Sequence, residues 1–414
     1  MRHLPDLRVN AESLRNAMEK MADIGATPAG GVHRLALSAE DKEARDLLIA
    51  WLEDIGLEII VDDMGNIFGK RSGKNNKMPP VLSGSHLDSA PNGGRFDGAL
   101  GVLGTLEVLR TIHEKNVETE RPIVIVNWTN EEGCRFHPAM AGSGVWSDRL
   151  DKKKIHDQRD SQGRIFIDEL QKIGYKGTTP AKRFPVHAYF ECHNEQGPVL
   201  VNGGKVIGVP RGIVGVRWKK VLLKGTANHA GTTPMNARKD ALCAAAEMIL
   251  KVNELPAKMG QDMVATVGEI DNFPNAVNVI PESVHFSIDL RCWNEDLIAL
   301  AWDQLTTSLE KTARKRGCTF ETKESMNLSR SSFNETLCDR LMEISQSLGY
   351  PALKMVSGAG HDAAYLAQIA PAAMIFVPSI GGQSHVESEN TTWEDCEAGA
   401  NVLLHGILAS AMEK

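Results

Sequence analysis

The residues best suited to chemistry lie in the segment GSHLDSAPNGGRFDG, which contains His86, Asp88 and Asp97. A strand-like run further along the chain ends in two adjacent carboxylates, Glu131 and Glu132. Imidazole and carboxylate groups gathered at the ends of strands are ligands that borderline divalent metals accept. The pattern therefore predicts a metal-dependent hydrolase.

Two metals that share one site need ligands from several parts of the chain, and a bridging carboxylate holds such ions about 3.5–4 Å apart. The candidate ligands are His86, Asp97, Glu132, His193 and His385. We expect Asp97 to be the bridge. Asp88 leaves the same strand end as His86, so we expect its carboxylate to accept the far N–H of His86 and to fix the tautomer of that ring.

Glu131 is the candidate general base. Adjacent residues of an extended chain point to different sides, so Glu132 can bind metal while Glu131 faces the reacting water. A bound divalent metal lowers the pKa of water towards about 7, and a carboxylate beside it can take the proton and pass it to the leaving nitrogen. Each residue alone has an ordinary structural explanation, so the prediction depends on their joint order.

The surrounding segments predict an α/β layered sheet. Helical patterns cover 11–24, 40–54 and 98–114, and β-rich runs cover 57–62, 65–70, 80–86 and 122–129. In such sheets, functional sites form where strands end and loops begin. His86 and the Glu131–Glu132 pair lie at such positions.

The pattern changes near residue 212 and returns near 330. Between them lie alternating strands at 214–225, 263–270 and 283–293 and helices at 235–255 and 294–317. A helix at 333–348, a loop at 357–363, a strand at 372–378 and a helix at 391–412 follow. We predict a mixed-sheet metallohydrolase catalytic domain formed by 1–211 and 330–414, with a smaller antiparallel α+β (ferredoxin-like) domain inserted at 212–329.

The composition excludes several classes of function. A chain of 414 residues with net charge −7 has no basic footprint for nucleic acid. No apolar run approaches the roughly 20 residues that span a bilayer, and the first residues lack the apolar core of a signal peptide. The seven cysteines form no CxxC pair, which favours free thiols in a reducing compartment. We therefore expect a soluble, cytoplasmic protein that binds neither nucleic acid nor membrane.

Six motifs together resemble one known family branch. In order they are GSHLDSAPNGGRFDG, NWTNEEGCRF, HNEQGP, GTANHAGTTPM, AVNVIPESVHFSIDLR and GAGHDA. Through them nearly the whole chain is similar to the N-carbamoyl-L-amino acid hydrolases, β-ureidopropionases and allantoate amidohydrolases, a branch of the dinuclear-metal aminoacylase and carboxypeptidase superfamily. Asn194 and Asp148 depart from that branch, at positions where an apolar and a small residue are usual.

The resemblance implies two divalent ions per subunit, zinc or manganese with cobalt also accepted, bound by the five candidate ligands. It implies that Glu131 is the catalytic base and that His229, in the smaller domain, stabilises the oxyanion. In this branch that histidine typically comes from the partner subunit, so the inserted domain is expected to act as a lid and to form a homodimer. A loop-capping role for His229 is the structural alternative.

The resemblance also implies a small-molecule substrate with a carboxylate. Arg291 would bind that carboxylate through a bidentate pair, and Asn278 and Gln196 would hydrogen-bond the same end of the substrate. Gly360 is a further candidate, through its backbone groups. A surface arginine is the ordinary alternative for Arg291.

The predicted reaction is hydrolysis of the carbamoyl (ureido) C–N bond of an N-carbamoyl-L-amino acid to the L-amino acid, ammonia and carbon dioxide. Allantoate amidohydrolase and β-ureidopropionase activities are the near alternatives, because all three substrates present a ureido group and a carboxylate. A non-catalytic binding or scaffolding protein is the alternative from another class, and the presence of every expected ligand and of the base disfavours it.

Overall fold

A computed structural model of the protein describes residues 6–260 and 263–414. The chain divides into a larger unit, which runs up to Gly212 and resumes at Ser332–Lys414, and a smaller unit, Ile213–Ser331. The predicted boundaries, 211/212 and 329/330, lie within two residues of these. Residues 1–5 of the predicted first segment lie outside the described residues.

Strands and helices alternate along most of the chain. The strands are β1 (Glu58–Val61), β2 (Ile67–Arg71), β3 (Val81–His86), β4 (Ile123–Trp128), β5 (Ala188–Asn194), β6 (Ile207–Ile213), β7 (Gly215–Lys224), β8 (Asn228–His229), β9 (Met263–Thr266), β10 (Ile270–Phe273), β11 (Val279–Ile280), β12 (Ser283–Cys292), β13 (Thr319–Leu328), β14 (Ser331–Ser332), β15 (Ala352–Ser357) and β16 (Ala372–Val377). The helices are α1 (Ala11–Asp23), α2 (Ala39–Asp54), α3 (Ala99–Glu114), α4 (Ala141–Trp146), α5 (Lys152–His156), α6 (Phe166–Lys172), α7 (Val199–Asn202), α8 (Ala241–Met259), α9 (Glu295–Lys315), α10 (Glu335–Ser347), α11 (Ala363–Leu366) and α12 (Trp393–Ala411).

The larger unit is built on one mixed sheet in the order β1-β2-β4-β3-β5-β16-β6-β14, with β15 also paired to β6. The central strands β4, β3, β5 and β16 run parallel to one another. The flanking pairs β1–β2, β2–β4 and β16–β6 are antiparallel. The mixed α/β sheet predicted from the sequence is therefore confirmed.

The central parallel strands are buried along their whole length. Every residue of β3, β4, β5 and β16 is buried, as expected for parallel strands that helices cover on both faces. Helices α3 and α12 contact each other, and both contact β3 and β5. The carboxyl ends of the parallel strands therefore open at one edge of a rigid layer.

The smaller unit contains an antiparallel sheet in the order β10-β12-β7-β13, with β9 paired to β12. In β12 the residues Val284, Phe286, Ile288 and Leu290 alternate with less buried ones and join a core that includes residues of α8 and α9. The antiparallel α+β character matches the prediction for the insert. Its role as a lid and dimerisation surface stays a prediction.

Two predicted elements of the smaller unit are wrong in extent. The helix predicted at 235–255 begins at Ala241, because the Asp240 carboxylate accepts the amides of Leu242 and Cys243 and so caps the helix there. The strand predicted at 263–270 is two strands, β9 and β10. Both pair with β12, in different parts of its length.

Among the helices of the described ranges, none combines the length and the apolar character needed to cross a bilayer.

Candidate metal centre

The carboxyl ends of three adjacent parallel strands carry predicted ligands. His86 is the last residue of β3 and lies in register with Trp128, the last residue of β4. Glu131 and Glu132 follow Trp128 directly after a short turn, and His193 lies near the end of β5. Because β3 pairs with both β4 and β5, one sheet edge brings these side chains together.

Asp97 lies at the centre of the cluster. Its Oδ1 is 3.2 Å from Nε2 of His193, and its Oδ2 is 3.3 Å from Nε2 of His385. Nε2 of His385 is also 3.4 Å from Oε2 of Glu132. Two sets of potential ligands result, His86–Asp97–His193 and Asp97–Glu132–His385, and within each set the ligand atoms lie within 4.8 Å of one another. Asp97 belongs to both sets.

The two deeply buried imidazoles are oriented by backbone carbonyls. Nδ1 of His86 lies 2.8 Å from the carbonyl oxygen of Asp88, and Nδ1 of His193 lies 3.0 Å from that of Asn194. An N–H at each Nδ1 donates to the carbonyl, and this leaves Nε2 as the ligating nitrogen of both rings.

The predicted role of the Asp88 carboxylate is wrong in this detail. Its Oδ1 is 4.0 Å from Nδ1 of His86, and the carbonyl of the same residue takes the contact instead. The Asp88 carboxylate accepts the backbone N–H groups of Glu131 and Glu132, at 3.2 and 3.3 Å. The chain turns after β3, so the backbone faces the imidazole while the side chain reaches the neighbouring loop. Asp88 therefore holds the Glu131–Glu132 backbone in place.

Gly98 lets Asp97 approach the histidines. Its φ of +64° is in the left-handed region, and an added Cβ would lie 2.4 Å from Nε2 of His86. Its N–H also donates to Nε2 of His193, at 3.2 Å. Glycine is therefore required at this position by both the backbone conformation and the packed ring.

Glu131 sits inside the cluster on a strained loop. Its Oε2 is 3.5 Å from Nε2 of His86. Asn130, which precedes Glu131, has a φ of +56°, and the Glu131 carbonyl accepts the amide of Met140 at 2.7 Å. Gly133 supplies a further positive φ of 66°, which glycine adopts without strain. The backbone strain at Asn130 is typical of functional sites. Burial and the repulsion of Asp362 and other carboxylates raise the pKa of Glu131 well above its ordinary value.

The electrostatics of the cluster fit bound cations. Burial and the charge of Asp97 raise the pKa of Glu132 to about 8. Burial would also raise the pKa of Asp97, but His193 and His385 outweigh it and hold that pKa well below its ordinary value. Oδ2 of Asp97 is buried and faces Nε2 of His385 at 3.3 Å. Three imidazoles and two carboxylates around a crowded negative centre are a donor set that divalent transition metals match.

His385 reaches the cluster from the carboxyl-terminal segment. It has a φ of +55°, and its side chain is about half exposed, whereas those of His86 and His193 are buried. Its amide donates to Oε2 of Glu389 at 3.3 Å. The second ligand set is therefore the one that solvent reaches.

Two predicted substrate residues lie in the larger unit. Nε2 of Gln196 donates to Oδ1 of Asp97 at 3.2 Å and to Oγ of Ser384 at 2.9 Å, so the structure places this amide at the cluster. Gly360 precedes His361, whose ring centroid is 4.6 Å from that of His193. The substrate roles of Gln196 and Gly360 stay predictions.

His229, in the smaller unit, has a defined tautomer. It belongs to β8, in register with Val279 of β11. Its Nδ1 accepts the amides of Gly231 and Thr232, at 3.0 and 3.2 Å. Nδ1 is therefore unprotonated in the neutral ring, and Nε2 carries the N–H. These bonds support the turn, as the structural alternative requires, and leave Nε2–H as a donor.

Asn278 and Arg291 also lie in the smaller unit. The Asn278 carbonyl accepts the amide of Ala230 at 2.9 Å, which ties it to the loop that follows His229. The Arg291 guanidinium contacts the Asp289 carboxylate, with 2.9 Å between Nη2 and Oδ2. The pair lies on one face of β12, because residues two apart in a strand share a face.

Two buried acids near the cluster were not predicted as site residues, although one of them, Asp362, lies in the motif GAGHDA. Asp362 accepts a hydrogen bond from Ser143, and burial raises the pKa of Asp362 well above its ordinary value. Glu191 in β5 accepts Oγ of Ser85 at 2.7 Å and the amide of Ala363 at 3.0 Å. A glutamate inside the apolar strand AYFECHN was an available signal for Glu191. The hydrogen-bond partners of Glu191 are distant in sequence, and no local pattern indicated them.

The two departures from the branch pattern differ in setting. Asn194 is buried, and neither polar atom of its side chain has a hydrogen-bond partner among the described residues. Asp148 is exposed and pairs with Arg183 at 3.0 Å. Neither side chain belongs to the two ligand sets.

The mixed sheet and its cluster define a metallohydrolase of the class that binds metal at the ends of parallel strands. The Peptidase family M20/M25/M40 matches residues 82–409, and the chain belongs to this family. It is a hydrolase that acts on linear amides and takes a small-molecule substrate.

Relatives match along nearly the whole chain. It is 38% identical to the N-carbamoyl-L-amino-acid amidohydrolase of Rhizobium meliloti, covering 98% of this chain and 97% of that one. It is 34% identical to the allantoate amidohydrolase of Bacillus subtilis, covering 94% and 95%. A hydantoinase/carbamoylase family amidase from Burkholderia multivorans has a crystal structure that superposes with a TM-score of 0.93 at 43% identity, covering 99% of each chain.

Proposed function

We propose that this enzyme hydrolyses the carbamoyl C–N bond of N-carbamoyl-L-amino acids. The products are the L-amino acid, ammonia and carbon dioxide. The observation that carries the proposal is a five-residue ligand cluster, shared through Asp97, in a chain 38% identical over 98% of its length to an enzyme named for this substrate. The imidazole and carboxylate ligands support metal-dependent hydrolysis, and the name of the Rhizobium meliloti relative supports a ureido substrate.

Two divalent ions would be held by the cluster, one by His86, Asp97 and His193 and the other by Asp97, Glu132 and His385. Mixed imidazole and carboxylate donors favour zinc or manganese, and cobalt is also accepted. When bound, such ions supply Lewis-acid chemistry that acidifies water and polarises a carbonyl.

Glu131 would hold and move the proton. It is buried, and its Oε2 lies 3.5 Å from a ligating nitrogen of His86, which supports a role for this carboxylate beside the attacking water. It takes a proton from that water as the water oxygen bonds to the ureido carbon. It then returns the proton to the nitrogen that leaves, and the C–N bond breaks to give one amine and a carbamic acid. The carbamic acid loses carbon dioxide and releases the second nitrogen, which completes the products.

The smaller unit would supply substrate contacts. In this unit we assign the substrate carboxylate to Arg291 and a further hydrogen bond to Asn278. Gln196 and the backbone of Gly360, in the larger unit, are the remaining proposed hydrogen-bonding groups. His229 would donate its Nε2–H to the developing oxyanion, because hydrogen bonds from Gly231 and Thr232 occupy Nδ1. We also propose a homodimer formed through this unit, in which His229 serves the partner's centre.

Allantoate hydrolysis is the second candidate. The 34% identity to a Bacillus subtilis allantoate amidohydrolase favours it, over nearly the same length of chain. β-Ureidopropionase activity is the remaining alternative, since its substrate also joins a ureido group to a carboxylate.

A substrate panel tests the proposal. The enzyme, loaded separately with zinc, manganese or cobalt, is given N-carbamoyl-L-amino acids, their D-enantiomers, N-carbamoyl-β-alanine and allantoate, and ammonia release is measured. We expect the highest kcat/KM for an N-carbamoyl-L-amino acid. A higher value for allantoate or N-carbamoyl-β-alanine would assign the enzyme to that substrate, and no ammonia from any of them would refute ureido hydrolysis.

A further inference from the structure

The larger unit contains a cavity of about 370 Å³ whose lining includes none of the candidate site residues. Its wall includes Pro122 and Val124 at the amino end of β4, whereas Glu131 follows the carboxyl end. A strand rises about 3.3 Å per residue, so the length of β4 separates the two places. The cavity is therefore distinct from the metal centre.

Three aromatic side chains lie along one side of this cavity; Phe184 is exposed, and Phe68 and Trp146 are buried against it. Trp146 and Phe184 meet edge to face with ring centroids 5.1 Å apart, and Phe68 lies 6.0 Å from Phe184 and 6.1 Å from Trp146. Five prolines also line it. Aromatic and proline side chains lose little conformational entropy when a ligand binds, so the wall is preformed for a flat apolar group.

The charges at this cavity are mostly positive. Lys70, Lys77 and Lys182 line it. Lys77 and Lys182 are exposed, and neither forms an ion pair with the described residues, whereas Lys70 lies 3.5 Å from Glu58. The acidic side chain of the lining, Asp62, is buried, and its oxygens accept hydrogen bonds from Met64 and Asn66.

We propose that this cavity binds an aromatic monocarboxylate, with the ring against Phe184 and the lining prolines and the carboxylate towards Lys77 and Lys182. The cavity volume lies within the range of about 300–1,000 Å³ typical of small-molecule sites. The apolar wall favours the aromatic ring of the ligand, and the lysines without acidic partners favour its negatively charged carboxylate.

Isothermal titration calorimetry of the metal-loaded enzyme with 1-naphthylacetate tests the proposal. The uncharged 1-naphthaleneacetamide serves as the matched ligand. We expect saturable binding of the acid and weaker binding of the amide. Absence of saturable binding of the acid would overturn the proposal.

Variants locate the binding. Phe184→Ala removes a ring that is 37% exposed and should raise the Kd about three- to tenfold, the range for one lost aromatic contact. The double variant Lys77→Ala/Lys182→Ala should weaken the acid about two- to fivefold and leave the amide unchanged. Lys153→Ala, at an exposed lysine of α5, is the control and should bind like wild type.

The carboxylate probe could instead occupy the metal centre. In that case it would inhibit ureido hydrolysis competitively, and the three cavity substitutions would not change its Kd. That result would overturn the proposal while leaving the proposed function intact. Thermal unfolding midpoints near that of wild type verify that each variant is folded.

Discussion

Arg45 and Asp41 form an ion pair sealed from solvent, with 2.9 Å between Nε and Oδ2 and both side chains at most 1% exposed. The same guanidinium donates to the carbonyl of Gly65 at 2.6 Å and to Oγ1 of Thr129 at 3.2 Å. Thr129 begins the loop that carries Glu131. The pair therefore links helix α2 to the backbone of the candidate centre.

Breaking this pair should destabilise the larger unit. Asp41→Ala leaves a buried guanidinium without its partner, and we expect the free energy of unfolding to fall by about 3–5 kcal/mol. Asp41→Leu/Arg45→Met removes both charges and should cost less than Asp41→Ala. Urea unfolding followed by circular dichroism measures both. Equal losses in the two variants would contradict an unpaired charge as the cause.

Gly98→Ala should lower metal affinity. The added methyl collides with the His86 ring at a backbone φ of +64°, and the ring must move away from its ligating position. We expect at least about a tenfold loss of metal affinity, as when a ligand's support is disturbed. Gly174→Ala is the matched control, because Gly174 has a φ of +79° with open space around it. If both variants lose metal equally, backbone strain rather than contact with His86 is responsible.

Substitution of the ligand shared by both sets should lower the metal content more than substitution of a ligand that belongs to one set. Asp97 belongs to both ligand sets and His385 to one, so Asp97→Asn should lose both ions and His385→Ala about one. Inductively coupled plasma mass spectrometry after dialysis gives the metal content per chain. Asp148→Asn, at an exposed acid, should retain the wild-type content. Equal losses from the two ligand variants would rule out Asp97 as the bridge.

Glu131→Gln should separate chemistry from metal binding. The amide keeps the size of the side chain but does not accept a proton, and we expect kcat to fall about 10²–10⁴-fold with unchanged metal content. Glu132→Gln, the neighbouring isosteric change, should instead reduce metal content. A Glu131→Gln enzyme with wild-type turnover would remove this residue from the role of base.

Mixing variants tests where His229 acts. In a hybrid of Glu131→Gln and His229→Ala subunits, one centre combines an intact Glu131 with an intact His229 only if the histidine crosses between subunits. Random re-association should then restore about a quarter of wild-type activity. Each variant refolded alone is the control. No recovery in a mixture shown by native mass spectrometry to contain hybrids would place His229 in its own subunit's centre.

Local sequence patterns predicted much of the candidate site in the larger unit, because the site residues come directly after apolar strands. His86 and the Glu131–Glu132 pair each follow an apolar run, and parallel strands end at the same sheet edge. The gathering of His193 and His385 with them could be expected from motif order. The sequence could not indicate that His385 is half exposed while His193 is buried, since that depends on packing.

The incorrect predictions concern hydrogen bonds and turns that the pattern of apolar residues does not reveal. The carbonyl of Asp88, rather than its carboxylate, contacts His86, because the turn after β3 sets which group faces the ring. Ala-rich periodicity extended the α8 prediction to residue 235, but the Asp240 cap begins the helix at Ala241. The buried acids Asp362 and Glu191 have partners more than a hundred residues away, which a local pattern does not contain.

The chain leaves the larger unit at the end of β6 and re-enters it at β14, and these two strands are neighbours in the sheet. The amide of Phe333 donates to the carbonyl of Arg211 at 2.9 Å across this junction. Ends that close need only a tight turn to join them. The inserted segment can therefore be removed or replaced, by evolution or by design, without changing the order of the strands that carry the metal ligands.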